Sequence, residues 1–401
     1  MAHQTDYTNA AGTQAQLTRQ GRLNDGADNR ALYLKLFSGE MFKGFQQNTI
    51  ARDLVMKRTL KNGKSLQFIY TGRTTAEFHT PGNSILGNSD GAPPVAEKTV
   101  TCDDLLISSA FVYELDETLA HYSLRGEISK KIGYALAEKY DRLIFRAIAK
   151  GARLPSPVGK TSTFREPGGT QVRVGSTTNE SDAYSASGLV TAFFDAAAAL
   201  DEKGVSSSGR VAVLNPRQYY SLIQSVDGNT LNTGLINRDA TGTALQSGNG
   251  IIEIAGIKIF KSMNIPFLGK HGVKYRADAT DTAGNGEVAP NNLGDFVNPD
   301  IAAATAQTNA GAGGYNNNYG AADAFDSSCG LIFQKEAAAV VEAIGPQVQV
   351  TSGDVSVVYQ GDVILGRLAM GADFLNPAAA VELHIGATPP SAFGATYPAN
   401  A

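Results

Sequence analysis

Two stretches carry the residue types of a phosphate-binding loop, Gly63-Lys64-Ser65 and Gly159-Lys160-Thr161. Such a loop needs a further glycine five positions upstream, so that backbone amides can curl around a phosphate. Arg58 and Leu154 stand at those positions, and neither segment follows a buried strand or opens a helix. No phosphate site is expected. The five histidines, His3, His79, His121, His271 and His384, show no i, i+4 pair and no cysteine neighbour, so no metal centre is expected. Cys102 and Cys329 lie too far apart for a zinc knuckle, neither has a histidine close by, and no G-x-S-x-G nucleophile elbow occurs. The acidic pairs Asp103-Asp104 and Asp201-Glu202 flank predicted element ends, where dipole and capping roles account for them. Phe68, Tyr70 and Phe78 offer faces for stacking a base, but Arg73 is the one basic residue among them, which favours packing. The chemistry census is empty: no catalytic, cofactor or metal residue is expected.

What remains is architecture. The 401 residues suffice for two or three compact units, and a net charge of −4 offers no basic field to nucleic acid. The opening MAHQTDYTNAAGTQ lacks a cationic and apolar leader, and no run approaches the length of a membrane span. Neither secretion nor membrane insertion is expected, and two unpaired cysteines fit a reducing folding environment. Glycine is frequent, at 43 residues, and points to much irregular surface.

The strongest periodic signal is Asp116 to Lys150. Leu124, Ile128, Ile132, Leu136, Tyr140, Ile144 and Ile148 fall at helical spacing, with Lys130, Lys131, Glu138, Lys139 and Arg142 between them. The spacing predicts a helix of about 45 Å at 1.5 Å per residue, apolar on one stripe, polar on the other and stopped by Gly151. Before it, residues 1 to about 28 are too polar to order alone, and residues 31–45 read as a short apolar helix. From 54 to 100 the period becomes two: Leu66, Phe68 and Tyr70 alternate with Gln67, Ile69 and Thr71, and a Gly/Pro/Asn-rich tip separates them from a returning strand. A two-stranded hairpin buries too little to be stable alone, so one reaching past its own domain is expected to bury Leu66, Phe68, Ile69, Tyr70 and Phe78 on another subunit, with Arg73 and Glu77 pairing across that boundary. Beyond a possible hairpin at Gly168-Gly169, a helix at Ser187–Lys203 puts Leu189, Val190, Phe193, Phe194, Ala197 and Leu200 on one face. A strand at 210–214, a helix opening at Asn215-Pro216, and two strands around Ala255-Gly256 then suggest an α/β unit of about 140 residues. Residues 275–326 are a low-complexity insert, strands return at 330–344 and 363–371, and the end is a Pro/Ala tail.

The runs ALYLKLFSGEMFKGF (31–45) and NGKSLQFIYTGRTTAEFHTPG (62–82) resemble the major capsid proteins of T-seven-like short-tailed phages. The resemblance continues through Arg125, Glu127 and Ile132-Gly133, GIIEIAGIKIFKSMNIP (250–266) and LGRLAMGADFLNPAAAVEL (365–383). It departs at the first 28 residues, in the length of the 275–326 insert, and at Asn376-Pro377, where the family has Arg-Pro. The resemblance implies an α+β, HK-97-like capsid fold. Its parts would be an N-terminal arm (1–53), an E-loop (54–100), a peripheral domain (101–184) with spine helix 116–150, and an axial domain (185–329) carrying the 275–326 insert. Returning peripheral strands (330–386) and a tail (387–401) would complete it. It implies subunit-interface roles for Leu66, Phe68, Tyr70, Arg73, Glu77, Phe78, Pro81 and Gly82 on the E-loop. It also singles out Leu124, Arg125, Glu127, Ile128, Ile132 and Leu136 on the spine helix, and Asn229, Asn232 and Arg238 on an axial loop. Implied partners are copies of the chain in hexamers and pentamers, a scaffolding protein, a portal, and packaged double-stranded DNA, with no membrane. The implied location is the virion, assembled in the host bacterial cytoplasm. A cellular nanocompartment shell of the same fold, containing no genome, and an α/β metabolic enzyme, running as a small oligomer, are the two rival expectations.

Overall fold

The computed structural model describes residues 50–73, 78–82, 94–102, 105–115, 124–155, 166–175, 183–224, 252–262, 264–265, 328–350, 359–386 and 389–390. In chain order these form helix α1 (Ala51–Leu54) and strands β1 (Met56–Thr59), β2 (Ser65–Thr71), β3 (Val95–Thr101) and β4 (Leu105–Tyr113). Helix α2 (Leu124–Ala152), β5 (Thr170–Arg173), α3 (Ala186–Glu202), β6 (Arg210–Leu214), α4 (Pro216–Gln224), β7 (Ile252–Ile254) and β8 (Ile257–Lys261) follow. Strands β9 (Ser328–Gln334), β10 (Ala338–Val350), β11 (Gly361–Phe374) and β12 (Ala380–His384) close the series. The predicted helix at 31–45, the loop 225–249 and the insert 275–326 lie outside the described residues.

The chain divides into two compact units, one of Met1–Asn48, Asp103–Glu138 and Ala343–Met370, the other of Thr49–Cys102, Lys139–Glu342 and Gly371–Ala401. In the first, β4 runs antiparallel to β11, from Tyr113 opposite Gly361 to Leu105 opposite Ala369. Ile128, Ile132 and Leu136 of α2 lie on that sheet against Leu106, Ala110, Val112 and Ile364, which is what their spacing predicts. A glycine in a strand interior weakens it unless something must come close. At Gly366 a Cβ would stand 2.4 Å from Ile132 Cγ2 and 2.9 Å from Leu136 Cδ1, so its absence seats the helix.

The second unit is built on a six-stranded sheet of order β5-β12-β9-β6-β8-β7. All five residues of β6 are buried, because the strand has a parallel neighbour in β8 and an antiparallel one in β9. Leu189, Phe193, Ala196 and Leu200 of α3 pack in the same core as Ala212, Leu214 and Ile332. Ser185 caps α3 by accepting from the Gly188 amide. At the other end Gly204, at φ 76°, lets the Val205 amide reach the Leu200 carbonyl, the turn that closes many helices. Ala255 and Gly256, both at positive φ, make the two-residue turn between antiparallel β7 and β8, as expected. The sheet also takes β5 from before residue 185 and β12 from the C-terminal region, pairings between strands far apart in sequence.

Several expectations need correction. The hairpin does not begin at 54: β1 pairs in parallel with β10, Met56 opposite Ala339 through Thr59 opposite Glu342, so the excursion starts after Leu60. Among the described residues β5 pairs with β12 rather than across Gly168-Gly169, and the two glycines press so closely on the backbone of residues 151–155 that any Cβ would overlap it. Phe194 is 57% exposed, since the buried stripe of α3 is centred on Leu189, Phe193, Ala196 and Leu200 and residue 194 turns off it. Helix α2 runs through Gly151, whose missing Cβ admits Phe374 at 3.0 Å, and ends at Ala152. Its last turns bury polar residues as well as apolar ones, Asp141 and Arg142 among them, and Asp141 accepts from the Ile50 and Ala51 amides; Lys130 and Lys131 keep the expected exposed face.

Gly371 is the tightest of these positions, with a Cβ placed 1.9 Å from the Thr101 carbonyl oxygen. Backbone cannot rotate away as a side chain can. Gly371→Ala is therefore expected to cost about 3 kcal/mol through overpacking, read as the denaturant midpoint by far-UV circular dichroism. Gly345→Ala is the control, with no atom within 4 Å of its Cβ position, and should change little.

Candidate functional site

Alternation along β2 gives the hairpin two faces. Leu66, Phe68 and Tyr70 are half-buried, whereas Ser65, Gln67, Ile69 and Thr71 are exposed. Strand β3 pairs with β2 in full register, Ser65 opposite Thr101 through Thr71 opposite Val95, and turns Val100 and Lys98 to the same inner face. That inner face is covered by the hairpin's own chain: Leu66 and Phe68 pack on Leu60, Val100, Ala339 and Val341. Their own chain thus supplies part of the burial of Leu66 and Phe68, and each keeps surface exposed. The outer face is open, with Ile69 78% and Val95 62% exposed. Phe78 is wholly exposed, as are the turn residues Pro81 and Gly82, the latter at φ 96°. Glu77 lies outside the described residues.

Electrostatics fix the hairpin at both ends. At the root, Lys98 Nζ lies 2.7 Å from Asp373 Oδ2 and 3.7 Å from the Phe374 ring centre, and Lys150 approaches the same carboxylate at 3.7 Å. Burial pulls the Lys98 ammonium below its ordinary value, and Asp373 opposes that loss. At the outer end, Arg73 meets Glu166 at 3.2 Å and the Lys203 carbonyl at 3.0 Å, both in its own chain. Burial, with the Glu166 charge adding to it, pushes the Tyr70 phenol up to about 12. Lys203 donates to the Gly168 carbonyl and the Thr170 hydroxyl, and burial brings its amine down to about 8.

Beneath β1 lies a carboxylate that spacing did not reveal. Glu342 Oε1 accepts from Tyr140 Oη at 2.7 Å and Arg52 Nε at 3.1 Å, and Lys57 Nζ reaches its other oxygen at 2.7 Å. Burial works to raise the Glu342 carboxyl, but the hydrogen bonds from Lys57, Arg52 and Tyr140 outweigh it and hold the group below the ordinary range. Asp141 receives the amides of Ile50 and Ala51, both at 3.1 Å, and so caps α1 from 90 residues away. A depressed carboxyl gives stability that is full above its unfolded pKa of about 4.3 and is lost as pH falls through the folded value. Glu342→Ala is expected to cost about 2–3 kcal/mol at pH 7. Its denaturant midpoint should converge on that of the unchanged protein below pH 4; a constant gap down to pH 3 would place the carboxylate outside the network.

On the helix, Ile128, Ile132 and Leu136 face the β4–β11 sheet and Glu127 is half-buried; Leu124 and Arg125 belong to α2, but their side chains lie outside the described residues. Asn229, Asn232 and Arg238 also lie outside them. Among the described residues no group of histidine, cysteine and carboxylate side chains is placed to hold a metal, and no helix is long and apolar enough to cross a membrane. Neither cysteine is in a disulfide among the described residues, and burial drives the Cys329 thiol far above its ordinary value.

The model of the Gp10A-like major capsid protein family matches residues 67–297, well over half of the chain. The chain is similar to the major capsid protein of Escherichia phage T7, 26% identical over 299 residues that cover 70% of this chain and 82% of that protein. Among solved structures it is similar to the capsid of the cyanophage P-SCSP1u, with a TM-score of 0.63 and 28% identity over 92% of this chain and 98% of that one. The mature capsid of bacteriophage PhiM1 shares the fold at a TM-score of 0.59 and 14% identity, over 93% and 98% of the two chains. The fold is thus the HK-97-like fold of phage capsid proteins, mixed helix and sheet. The chain belongs to the Gp10A-like major capsid protein family, a structural component of the tailed-phage virion that builds the shell from copies of itself.

Proposed function

We propose that the chain closes an icosahedral shell through rings of six and of five copies, with the β2–β3 hairpin laid on a neighbouring copy. The observation that carries this reading is the hairpin's open face, where Ile69 and Val95 are exposed on an element whose inner face is partly covered by its own chain, together with the exposed Phe78 beyond β2. Exposed apolar side chains of this size gain about 1.5–3 kcal/mol each when buried. A head-to-tail contact repeated around an axis closes a ring. The α2 segment with β4 and β11 is read as the peripheral part and its spine, and the six-stranded sheet with α3 and α4 as the axial part. Ring contacts in the axial part fall to the loop 225–249, with Asn229, Asn232 and Arg238. Assembly begins on a scaffolding protein and a portal in the host bacterial cytoplasm. The inner surface then meets packaged double-stranded DNA without reading its sequence, a role that the net charge of −4 suits because tight non-specific binding would impede packaging.

Co-expression with a scaffolding protein, followed by negative-stain microscopy, tests the reading. Closed particles of uniform size are expected. A soluble small oligomer under the same conditions, across several scaffold ratios, would overturn it.

A further inference from the structure

The two ends of the hairpin are held by bonds of different character. At the root, Lys98 and Asp373 meet with side chains 10% and 24% exposed, a pair that water reaches poorly. At the outer end, Arg73 is more than half exposed, while its partner Glu166 is largely covered. The second bond of Arg73 goes to the carbonyl of Lys203, the residue that caps α3. The last carbonyls of a helix lack partners within it and carry its negative end, so a guanidinium there is doubly suited. The platform beneath Arg73 is fixed: the Lys203 amine ties α3 to Gly168 and Thr170. Gly168 and Gly169 in turn lie where a Cβ would come within 2.5 Å of the backbone of residues 151–155. A fixed acceptor pair thus faces one exposed, exchangeable donor on the hairpin.

We propose that Arg73 is a strap that stows the outer end of the hairpin on the α3–Glu166 platform of its own chain before assembly, and that is released when a neighbouring copy takes the hairpin. The release half of this inference rests on the assembly reading above. Exposed ion pairs contribute little, so burial of Ile69, Val95 and Phe78 against another copy outweighs the strap. Arg73 therefore directs the hairpin without locking it.

Hydrogen exchange on the unassembled full chain, followed on the peptide spanning 65–71, tests the strap independently of any shell. Arg73→Gln and Glu166→Gln should each speed exchange by about two- to five-fold. The double variant should be no faster than Arg73→Gln alone, because Glu166→Gln removes only a bond that the Arg73 change already removes. Both single variants should also shorten the lag before particles appear by light scattering. Unchanged exchange, or additive effects in the double variant, overturns the strap. Slower assembly by Arg73→Gln with unchanged exchange also overturns it, since Arg73 would then serve the contact between copies. If the unchanged protein forms no particles, the assembly reading fails by itself, and the exchange result still decides whether Arg73 is a strap.

Discussion

Arg153→Met is expected to cost about 3–5 kcal/mol, a large share of a domain stability of about 5–15 kcal/mol. Arg153 and Glu382 make a two-pronged pair, Nε to Oε2 and Nη2 to Oε1, each at 2.7 Å, with both side chains wholly out of water. Arg153 follows the end of α2, and Glu382 sits in β12, between β5 and β9 of the six-stranded sheet. Losing the guanidinium leaves a buried carboxylate that keeps the neutral donor Gln171 Nε2 at 3.0 Å. An uncompensated buried charge is far more costly than the pair itself is stabilising. The double variant Arg153→Met/Glu382→Leu should therefore recover most of the loss, because apolar groups of similar volume replace both charges. Denaturant midpoints of the two variants decide the matter. A loss below about 1 kcal/mol for Arg153→Met would mean that water reaches the pair in solution.

Local signals were readable, and distant ones were not. Ile128, Ile132 and Leu136 announce a helix face because helical spacing is a property of the nearby sequence, and the sheet beneath them follows from alternation. Strand β6, the caps Ser185 and Gly204, and the Ala255-Gly256 turn fall where their residue types require. The parallel pairing of β1 with β10 joins residues about 280 positions apart, and nothing in Met56–Thr59 names its partner. The same blindness hid Glu342: a lone acidic residue in an apolar strand gives no hint that Arg52, Lys57 and Tyr140 converge on it. At the hairpin, Leu66 and Phe68 find part of their burial on Leu60, Ala339 and Val341 of the same chain, contacts that no neighbouring residue in the sequence announces. The family motif at 62–82 identified the element, but it carries no statement of which face is already satisfied.

That distinction between faces leads to the largest functional effect. Phe68→Ala should destabilise the free chain by about 1–2 kcal/mol, below the full cost of a buried aromatic because the side chain is half-covered. Ile69→Asp and Phe78→Asp change residues that are 78% and 103% exposed, so each should leave the free chain within about 0.5 kcal/mol of its starting stability. Assembly inverts the order. A carboxylate placed where a neighbour must bury an apolar side chain loses the hydrophobic gain and adds an unpaired charge, and every hairpin in a ring repeats the defect. The pair Ile69→Asp/Phe78→Asp is expected to yield folded, soluble chains with unchanged far-UV circular dichroism and closed particles reduced roughly a hundredfold or more, because the loss at each contact is repeated around every ring. Phe68→Ala should still close shells at temperatures where the chain is folded. Particle yield by sedimentation separates the two variants. Wild-type yields from the double aspartate protein would remove the open face from the contact between copies, whatever else the hairpin does.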